Sequence, residues 1–408
     1  MIGITVVHRV ALPAVGLLVV FFGVCGDLRA AEGEKVLQPV YELLIGRSDS
    51  GNPDGQDSRS GDPVVRPSFA DAGGLPELSG EWYGAMGEYQ VRRNTLPSPW
   101  PDYADNVEMN VDIFFPAGRP GRLPTVFFIS GYGQYSSDRY RSLLYFIASQ
   151  GYNCVFIPHL FTQPDSNPQL LLTIIDGVVA RFSEVIDTGR VGFVGHSEGG
   201  GLIYYLARER AQWGGNGRFL FSLAAWWGFH LPPTGNVDYP AGTNLIVQIA
   251  ENDSGTDPRQ NIDFLLHNNI PAARKTLLYI PGDADHAADH WISYSREENG
   301  VYYYDALQQV AILRPLESLM RYSFENDDQW KMIGLPDPGD ANYDTMTEIN
   351  GIAMLFTDDP LGNTLVPIPA EADLVAEWLC SHSGNPRRLM CMPCRDTSRT
   401  AEWRQCAE

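Results

Sequence analysis

The fold is decided by residues 191 to 200, which read Val191-Gly192-Phe193-Val194-Gly195-His196-Ser197-Glu198-Gly199-Gly200. The apolar run before Gly195 is typical of a buried β-strand, and the residues after Gly200 have the apolar spacing of a helix. Ser197 is therefore predicted at the apex of a sharp turn between strand and helix, where a nucleophilic serine is exposed. Glycine at positions 195 and 199 leaves room there, because a side chain would collide with the neighbouring strand or helix.

Two apolar runs downstream end in residues that a nucleophilic serine needs as partners. Residues 244–250 run into Asp253, and residues 275–280 open into a turn that ends at His286. The C-terminal ends of the strands in an open α/β sheet converge on one crevice. Since serine, acid and histidine follow one another in this order, the sequence predicts a catalytic triad of Ser197, Asp253 and His286.

Each member of this triad has an alternative. Asp253 can instead form an Asx-turn or cap the helix predicted from residue 258, although Asp257 is the better placed N-cap. His290 lies four residues beyond His286, and the turn directly after the strand favours His286. Ser197 can also be an ordinary turn serine, since Gly-x-Ser-x-Gly alone is a weak motif.

The loop after residues 124–129, which read as a strand, supplies a candidate oxyanion site. A hydrolase of this type binds the oxyanion with two backbone N–H groups, one after the nucleophile and one in such a loop. These groups are predicted to belong to Glu198 and Tyr132. The Glu198 side chain is expected to be an acid favoured by the helix dipole rather than a catalytic group.

Several segments together carry a family resemblance: Gly87-Glu88-Tyr89-Gln90-Val91, Val111-Asp112-Ile113-Phe114-Phe115-Pro116, Ser130-Gly131-Tyr132, Gly195-His196-Ser197-Glu198-Gly199-Gly200-Gly201 and Glu251-Asn252-Asp253-Ser254. From about residue 87 to residue 336 the chain resembles the cutinase-like polyester hydrolases and their relatives among dienelactone hydrolases and platelet-activating-factor acetylhydrolases. The resemblance implies an α/β-hydrolase fold and a secreted serine esterase without a cofactor. It also implies aromatic residues beside the cleft, and Trp226 and Trp227 stand at that place with Tyr132. Core packing is the alternative role of the two tryptophans. The acidic Glu198, the longer spacers and the residues after 338 depart from the group.

The expected function is a secreted serine hydrolase that cleaves small-molecule or polymeric carboxylic esters through an acyl-enzyme intermediate. A peptidase, thioesterase or amidase of the same fold is one alternative, and a catalytically silent secreted binding module is another. No metal or nucleotide is expected, because no motif in the sequence supplies a site for one. We expect a monomer.

Composition and charge limit the partners and the location of the protein. The chain has 408 residues, of which 44% are hydrophobic and 19% charged, and this profile is typical of a globular protein. The net charge of −21 argues against binding to nucleic acid or to an anionic membrane surface. Residues 1–31 combine a weakly basic start, a short apolar core and small residues at the exit. They predict a cleaved signal peptide, with no stable membrane span afterwards and a secreted or periplasmic protein.

The remaining chain divides into three predicted regions. Residues 32–79 read as a flexible segment, and residues 80–338 alternate strands and helices as an α/β domain does, with a mostly parallel twisted sheet flanked by helices. Residues 339–408 form a cysteine-containing extension. Two disulfides are expected there in an exported chain, with the pairing open, and zinc is the weaker alternative. The four cysteines are Cys380, Cys391, Cys394 and Cys406. Cys154 is expected to be a buried free thiol.

Overall fold

The computed structural model describes residues 84–97, 109–158, 167–226, 237–253, 255–256, 258–282, 287–298, 301–349, 351–360, 363 and 365. The predicted signal peptide and the segment 32–79 lie outside these residues and stay predictions. The same holds for Trp227, Asp257, His286, Cys380, Cys391, Cys394 and Cys406. None of the helices in the described part of the chain combines the length and the apolar composition that a membrane crossing requires.

A ten-stranded sheet forms the centre of the molecule, in the order β1-β2-β4-β3-β5-β6-β7-β8-β12-β11. The six strands from β4 to β8 in this order are parallel, and the strands outside them pair antiparallel. A short hairpin of β9 and β10 stands apart from this sheet. The strands are β1 (Val91–Leu96), β2 (Val111–Pro116), β3 (Leu123–Ile129), β4 (Asn153–Ile157), β5 (Ile186–His196), β6 (Arg218–Leu223), β7 (Thr243–Ala250), β8 (Lys275–Ile280), β9 (Arg296–Glu298), β10 (Val301–Tyr303), β11 (Thr347–Ile349) and β12 (Ile352–Thr357).

Helices cover both faces of the sheet, which confirms the predicted α/β class. The helices are α1 (Arg141–Ser149), α2 (Asn167–Arg181), α3 (Glu198–Glu209), α4 (Pro258–Leu266), α5 (Ala306–Gln308), α6 (Arg314–Glu325) and α7 (Lys331–Gly334). Alternate residues of β3 enter opposite cores: Phe127 packs with residues of α2, α3 and α4, and Phe128 packs with residues of α1 and α6. Because both faces are covered, the central strands are continuous apolar runs in the sequence.

The helical stretch between α5 and α6 widens into a π-helical turn over Gln309–Leu313, where the sequence predicts one unbroken helix over 304–324. Pro315 explains the widening, because proline has no N–H to donate to the carbonyl four residues earlier and its ring clashes with that carbonyl. That carbonyl belongs to Ala311, and it accepts a hydrogen bond of 2.6 Å from the side-chain amide of Gln248 instead. A buried glutamine in β7 thus replaces the backbone donor that the helix lacks.

The sheet continues beyond the domain boundary that the sequence placed at residue 338. Strand β12 pairs antiparallel with β8, and β11 pairs with β12 at the edge. Part of the predicted extension, Ile352–Thr357, therefore belongs to the same sheet as the rest. Cys154 lies buried in β4 as a free thiol, as predicted.

Arg218 begins β6 and closes the far end of α3. Its side chain is buried, and its guanidinium donates to the carbonyls of Ala207, Arg210 and Trp213, the last two at 3.1 and 2.9 Å. The last carbonyls of a helix have no partner within the helix, and a cation at this end also suits the helix dipole. Burial lowers the pKa of Arg218 to about 10, so the group stays charged at neutral pH.

We expect Arg218→Met to lower the free energy of unfolding by about 3 kcal/mol, because it leaves buried carbonyls without donors. Urea denaturation followed by circular dichroism measures this loss. Arg208→Met is the matched control, since Arg208 lies in α3, the helix that Arg218 caps, and pairs with Glu209 near the surface. It should cost less than about 1 kcal/mol. Equal losses in the two variants would contradict the capping role.

Candidate active site

Ser197 occupies the sharp turn between β5 and α3, as the sequence predicts. Its backbone has φ 55° and ψ −120°, a conformation that costs a non-glycine residue energy and is typical of functional turns. A Cβ atom on Gly199 would lie 2.2 Å from the carbonyl oxygen of Ile129, and one on Gly195 would lie 2.2 Å from the carbonyl oxygen of Gly199. Both glycines are therefore required by the close packing of the turn against β3 and against the first turn of α3.

A chain of two hydrogen bonds connects Ser197 to Asp253 through a histidine. The Nε2 atom of His290 lies 3.0 Å from Ser197 Oγ, and its Nδ1 atom lies 3.0 Å from Asp253 Oδ2. A carboxylate only accepts hydrogen bonds, so Nδ1 carries the proton and Nε2 accepts from the serine hydroxyl. All three side chains are buried, which keeps competing water away from these bonds.

The loop after β7 holds the Asp253 carboxylate with further donors. The backbone N–H groups of Gly255 and Thr256 donate to Oδ1 at 2.6 and 3.0 Å, and the Thr256 hydroxyl donates to Oδ2 at 2.5 Å. Burial alone would raise the pKa of Asp253, but the bonds from His290, Thr256 and Gly255 outweigh it and hold this pKa below its usual value. Asp253 is thus an ionised partner for the histidine, which is the state that the acid of the predicted triad needs.

The choice of histidine from the sequence is corrected by this geometry. His290 fills the position between Ser197 and Asp253 for which His286 was favoured, while His286 lies outside the described residues. The physical reason is the strand order: β8 lies three strands from β5, a lateral distance of roughly 14 Å. The chain must cross this distance after Ile280, and on the way Ala288 accepts a hydrogen bond of 2.9 Å from the N–H of Asn252. Only then does it reach the serine.

The loop after β3 lies directly beside the serine, where the oxyanion site was predicted. A Cβ atom on Gly131 would lie 3.2 Å from Ser197 Cβ. The N–H of Gly131 is engaged, since it donates to the hydroxyl of Tyr140 at 3.1 Å. The next N–H in this loop is that of Tyr132, and Glu198 opens α3 directly after Ser197. The assignment of these two N–H groups to an oxyanion stays a prediction.

Glu198 is buried at the first position of α3 rather than solvated. The pKa of Tyr132 is raised by partial burial of the phenol and by the charge of Glu198. The Glu198 carboxylate is therefore close enough to the loop after β3 to influence charges there. A negative charge beside a candidate oxyanion site disfavours a second negative charge nearby.

Three aromatic side chains beside the serine and the histidine, those of Tyr132, Trp226 and Trp291, form what we call the entrance to the site; the Trp291 ring lies 4.8 Å from that of His290. Tyr132 and Trp291 are each 48% exposed. Trp226 lies half-buried, with its ring 5.7 Å from that of Tyr132, and its backbone N–H donates to the backbone carbonyl of Ser197 at 2.9 Å. Trp226 thus lies beside the serine and also packs against the core, so the structure does not separate the two roles that the sequence left open. Trp291 was not singled out from the sequence, although an aromatic residue directly after a candidate histidine is a usable signal.

His196 makes a second set of contacts behind the triad. Its Nδ1 lies 3.0 Å from the Tyr140 hydroxyl and its Nε2 lies 2.8 Å from the carbonyl oxygen of His290. Burial, followed by the charge of His290, lowers the pKa of His196 to about 3. Burial and the neighbouring Tyr294 raise the pKa of Tyr140 well above its usual value. Both groups are therefore neutral at physiological pH.

Among the described residues, no group of three histidine, cysteine, aspartate or glutamate side chains is arranged to hold a metal ion.

Comparison with models of known protein families finds no match to this chain, and comparison with the sequences of curated proteins finds none either. The interpretation of the site therefore depends on its own geometry.

We expect His196 to make the protein sensitive to acid. Its folded-state pKa of about 3 lies below the usual 6.5, so between these values the unfolded chain binds a proton that the folded protein does not. Its contribution to stability is therefore lost as the pH falls from 6.5 toward 3, by up to about 1.4 kcal/mol per pH unit. The difference in unfolding free energy between wild type and His196→Phe should shrink by about 2 kcal/mol between pH 6.5 and pH 5.

Urea denaturation at several pH values measures this difference. His267→Phe serves as the control, because His267 is exposed and should give a difference that changes little with pH. A difference for His196→Phe that stays constant from pH 7.5 to pH 5 would contradict the depressed pKa.

Proposed function

We propose that this protein is a serine hydrolase of the α/β-hydrolase fold that cleaves carboxylic esters with Ser197, His290 and Asp253. The observation that carries the proposal is the pair of 3.0 Å contacts from one imidazole to a serine hydroxyl and to a carboxylate. The strained backbone of Ser197 and its position at the C-terminal end of β5 support it. The order of serine, acid and histidine along the chain agrees with this arrangement.

The chemistry follows from the donor and acceptor roles of these groups. His290 Nε2 takes the proton of Ser197 as Oγ attacks the ester carbonyl, and then gives it to the leaving alcohol. Asp253 holds the Nδ1 proton in place and stabilises the imidazolium that forms. Water then attacks the acyl-enzyme by the same route and releases the acid. The oxyanion of each tetrahedral intermediate would be bound by the backbone N–H groups of Tyr132 and Glu198.

The substrate that the entrance favours has an apolar acyl or alcohol group. Tyr132 and Trp291 present exposed ring surface beside the serine, and Trp226 packs against Tyr132. Aromatic rings contribute large contact area to the binding of apolar groups. The charge of Glu198 near Tyr132 adds a preference for esters without a negative charge close to the reacting carbonyl.

Labelling with a fluorophosphonate tests the proposal, because this reagent reports an activated serine without knowledge of the substrate. We expect one adduct, on Ser197, with labelling lost in Ser197→Ala. His290→Ala should lower the labelling rate about 10⁴-fold or more, because the attacking hydroxyl loses its base. His286→Ala is the matched control and should label at nearly the wild-type rate.

Two outcomes would contradict this proposal. A folded wild-type protein that takes up no label would argue against an activated serine. Labelling that depends on His286 and not on His290 would show that His286, and not His290, activates Ser197. Turnover of matched esters and amides, such as p-nitrophenyl butyrate and butyryl p-nitroanilide, then distinguishes an esterase from an amidase.

We expect Trp291→Ala to lower kcat/KM for p-nitrophenyl octanoate about tenfold and for p-nitrophenyl acetate less than about threefold. The long acyl chain loses apolar contact at the entrance, and the short one does not reach it. Trp291→Phe should retain most of the octanoate activity. Trp330→Ala is the control for loss of a tryptophan away from the site, where the ring packs against Arg321. Equal losses for both esters would exclude a role of Trp291 in acyl recognition.

A further inference from the structure

His196 stands between Gly195 and Ser197, yet the hydrogen-bond chain of Ser197, His290 and Asp253 does not use it. Its side chain is fully buried, with both ring nitrogens engaged. A histidine buried in an apolar core has lost its hydration, and this is costly unless its polar atoms find partners. The role of its two partners, the Tyr140 hydroxyl and the His290 carbonyl, therefore needs an explanation.

The direction of each hydrogen bond in this set follows from counting protons. The carbonyl of His290 can only accept, so Nε2 of the neutral His196 ring must carry the proton. Nδ1 is then an acceptor, and the Tyr140 hydroxyl must donate to it at 3.0 Å. The Tyr140 oxygen in turn accepts from the N–H of Gly131 at 3.1 Å. The Tyr140 hydroxyl also lies next to that of Tyr294, but only a proton donated to Nδ1 satisfies His196 while its ring is neutral.

This series joins two loops and the end of a strand, which meet at the serine. Gly131 belongs to the loop after β3, His196 precedes the nucleophile at the end of β5, and His290 belongs to the loop after β8. The loops also touch closely, since a Cβ atom on Gly131 would lie 3.0 Å from His196 Nδ1 and 3.3 Å from the Tyr140 hydroxyl. The rings of His196 and His290 have their centroids 4.8 Å apart.

We propose that His196 and Tyr140 are positioning residues, which fix the backbone of His290 and the loop at Gly131 relative to Ser197. The inference rests on the proposed serine hydrolase function and assigns a role to two residues outside its triad. His196 does not exchange protons with substrate, because both of its nitrogens are bonded to protein groups. It acts through the carbonyl of His290, which lies on the residue whose imidazole contacts the serine.

The effect on catalysis should appear in the chemical step rather than in binding. Neither His196 nor the Tyr140 hydroxyl lines the entrance, since both residues are fully buried. Loss of the bond to His290 would let its imidazole move relative to Ser197 Oγ. A misplacement of about 1 Å in reacting groups can cost about 100-fold in rate.

Saturation kinetics of fluorophosphonate labelling test the inference, because they separate the rate constant of phosphonylation from the reversible binding constant of the probe. For His196→Phe, which removes both bonds, we expect the rate constant to fall about 30- to 100-fold with the binding constant changed less than about threefold. His196→Gln should recover at least about threefold of this rate, because its amide N–H can still donate to the His290 carbonyl.

Tyr140→Phe provides a second and milder variant, since it removes one hydroxyl and keeps the ring. Its rate constant should fall about fivefold or more. Tyr152→Phe is the matched control: Tyr152 is also buried, and its hydroxyl donates to Glu325 at 2.5 Å, away from the serine. That variant should label at the wild-type rate even where its thermal unfolding temperature falls as much as that of Tyr140→Phe.

The outcomes separate the inference from the function on which it rests. A wild-type protein that takes up no label on Ser197 would overturn both. A labelled wild type, with His196→Phe and Tyr140→Phe both reacting at its rate constant, would overturn the inference and leave the serine hydrolase intact. A weakened binding constant at an unchanged rate constant would also overturn it, because it would assign these residues to the shape of the pocket.

Discussion

The close contact between the first turn of α3 and the end of β3 is the constraint on which the site depends. Gly199 has space for no side chain there, because the carbonyl oxygen of Ile129 would lie 2.2 Å from its Cβ atom. This contact forces the turn at Ser197 into its positive φ, and it brings the loop after β3 beside the nucleophile. The turn sets the position of Ser197 Oγ, and the loops after β7 and β8 bring Asp253 and His290 to it.

The central sheet could be predicted from the sequence because its strands are buried on both faces. The runs that form β3, β5, β7 and β8 are largely apolar where the sheet is covered, and their order along the chain indicated the places of Ser197 and Asp253. The edge strand β11 is short and largely polar, so its pattern differs little from that of a loop. Pro315 was a local signal for an irregularity in this helix, whereas the donor that replaces its missing N–H, Gln248, lies more than 60 residues away in sequence.

The positions of His290 and Trp291 depend on the path of the loop after β8, and the spacing of apolar residues does not predict such a path. The local sequence favours His286, which stands nearer to the end of β8, but β8 lies three strands from β5 and the residue that reaches Ser197 is His290. Strand order is a property of the whole sheet, so a local motif cannot supply it. Trp291 was missed for the same reason, since it reaches the entrance only because His290 reaches the serine.

Helix α3 is held at both of its ends. At one end its first turn is pressed against β3, and at the other the Arg218 guanidinium bonds the terminal carbonyls. The helix can therefore neither slide along its axis nor unwind from its far end to relax the dihedral angles at Ser197. Arg218, at the start of the central strand β6 and the far end of α3, thus helps to retain the backbone strain at Ser197 in the resting protein.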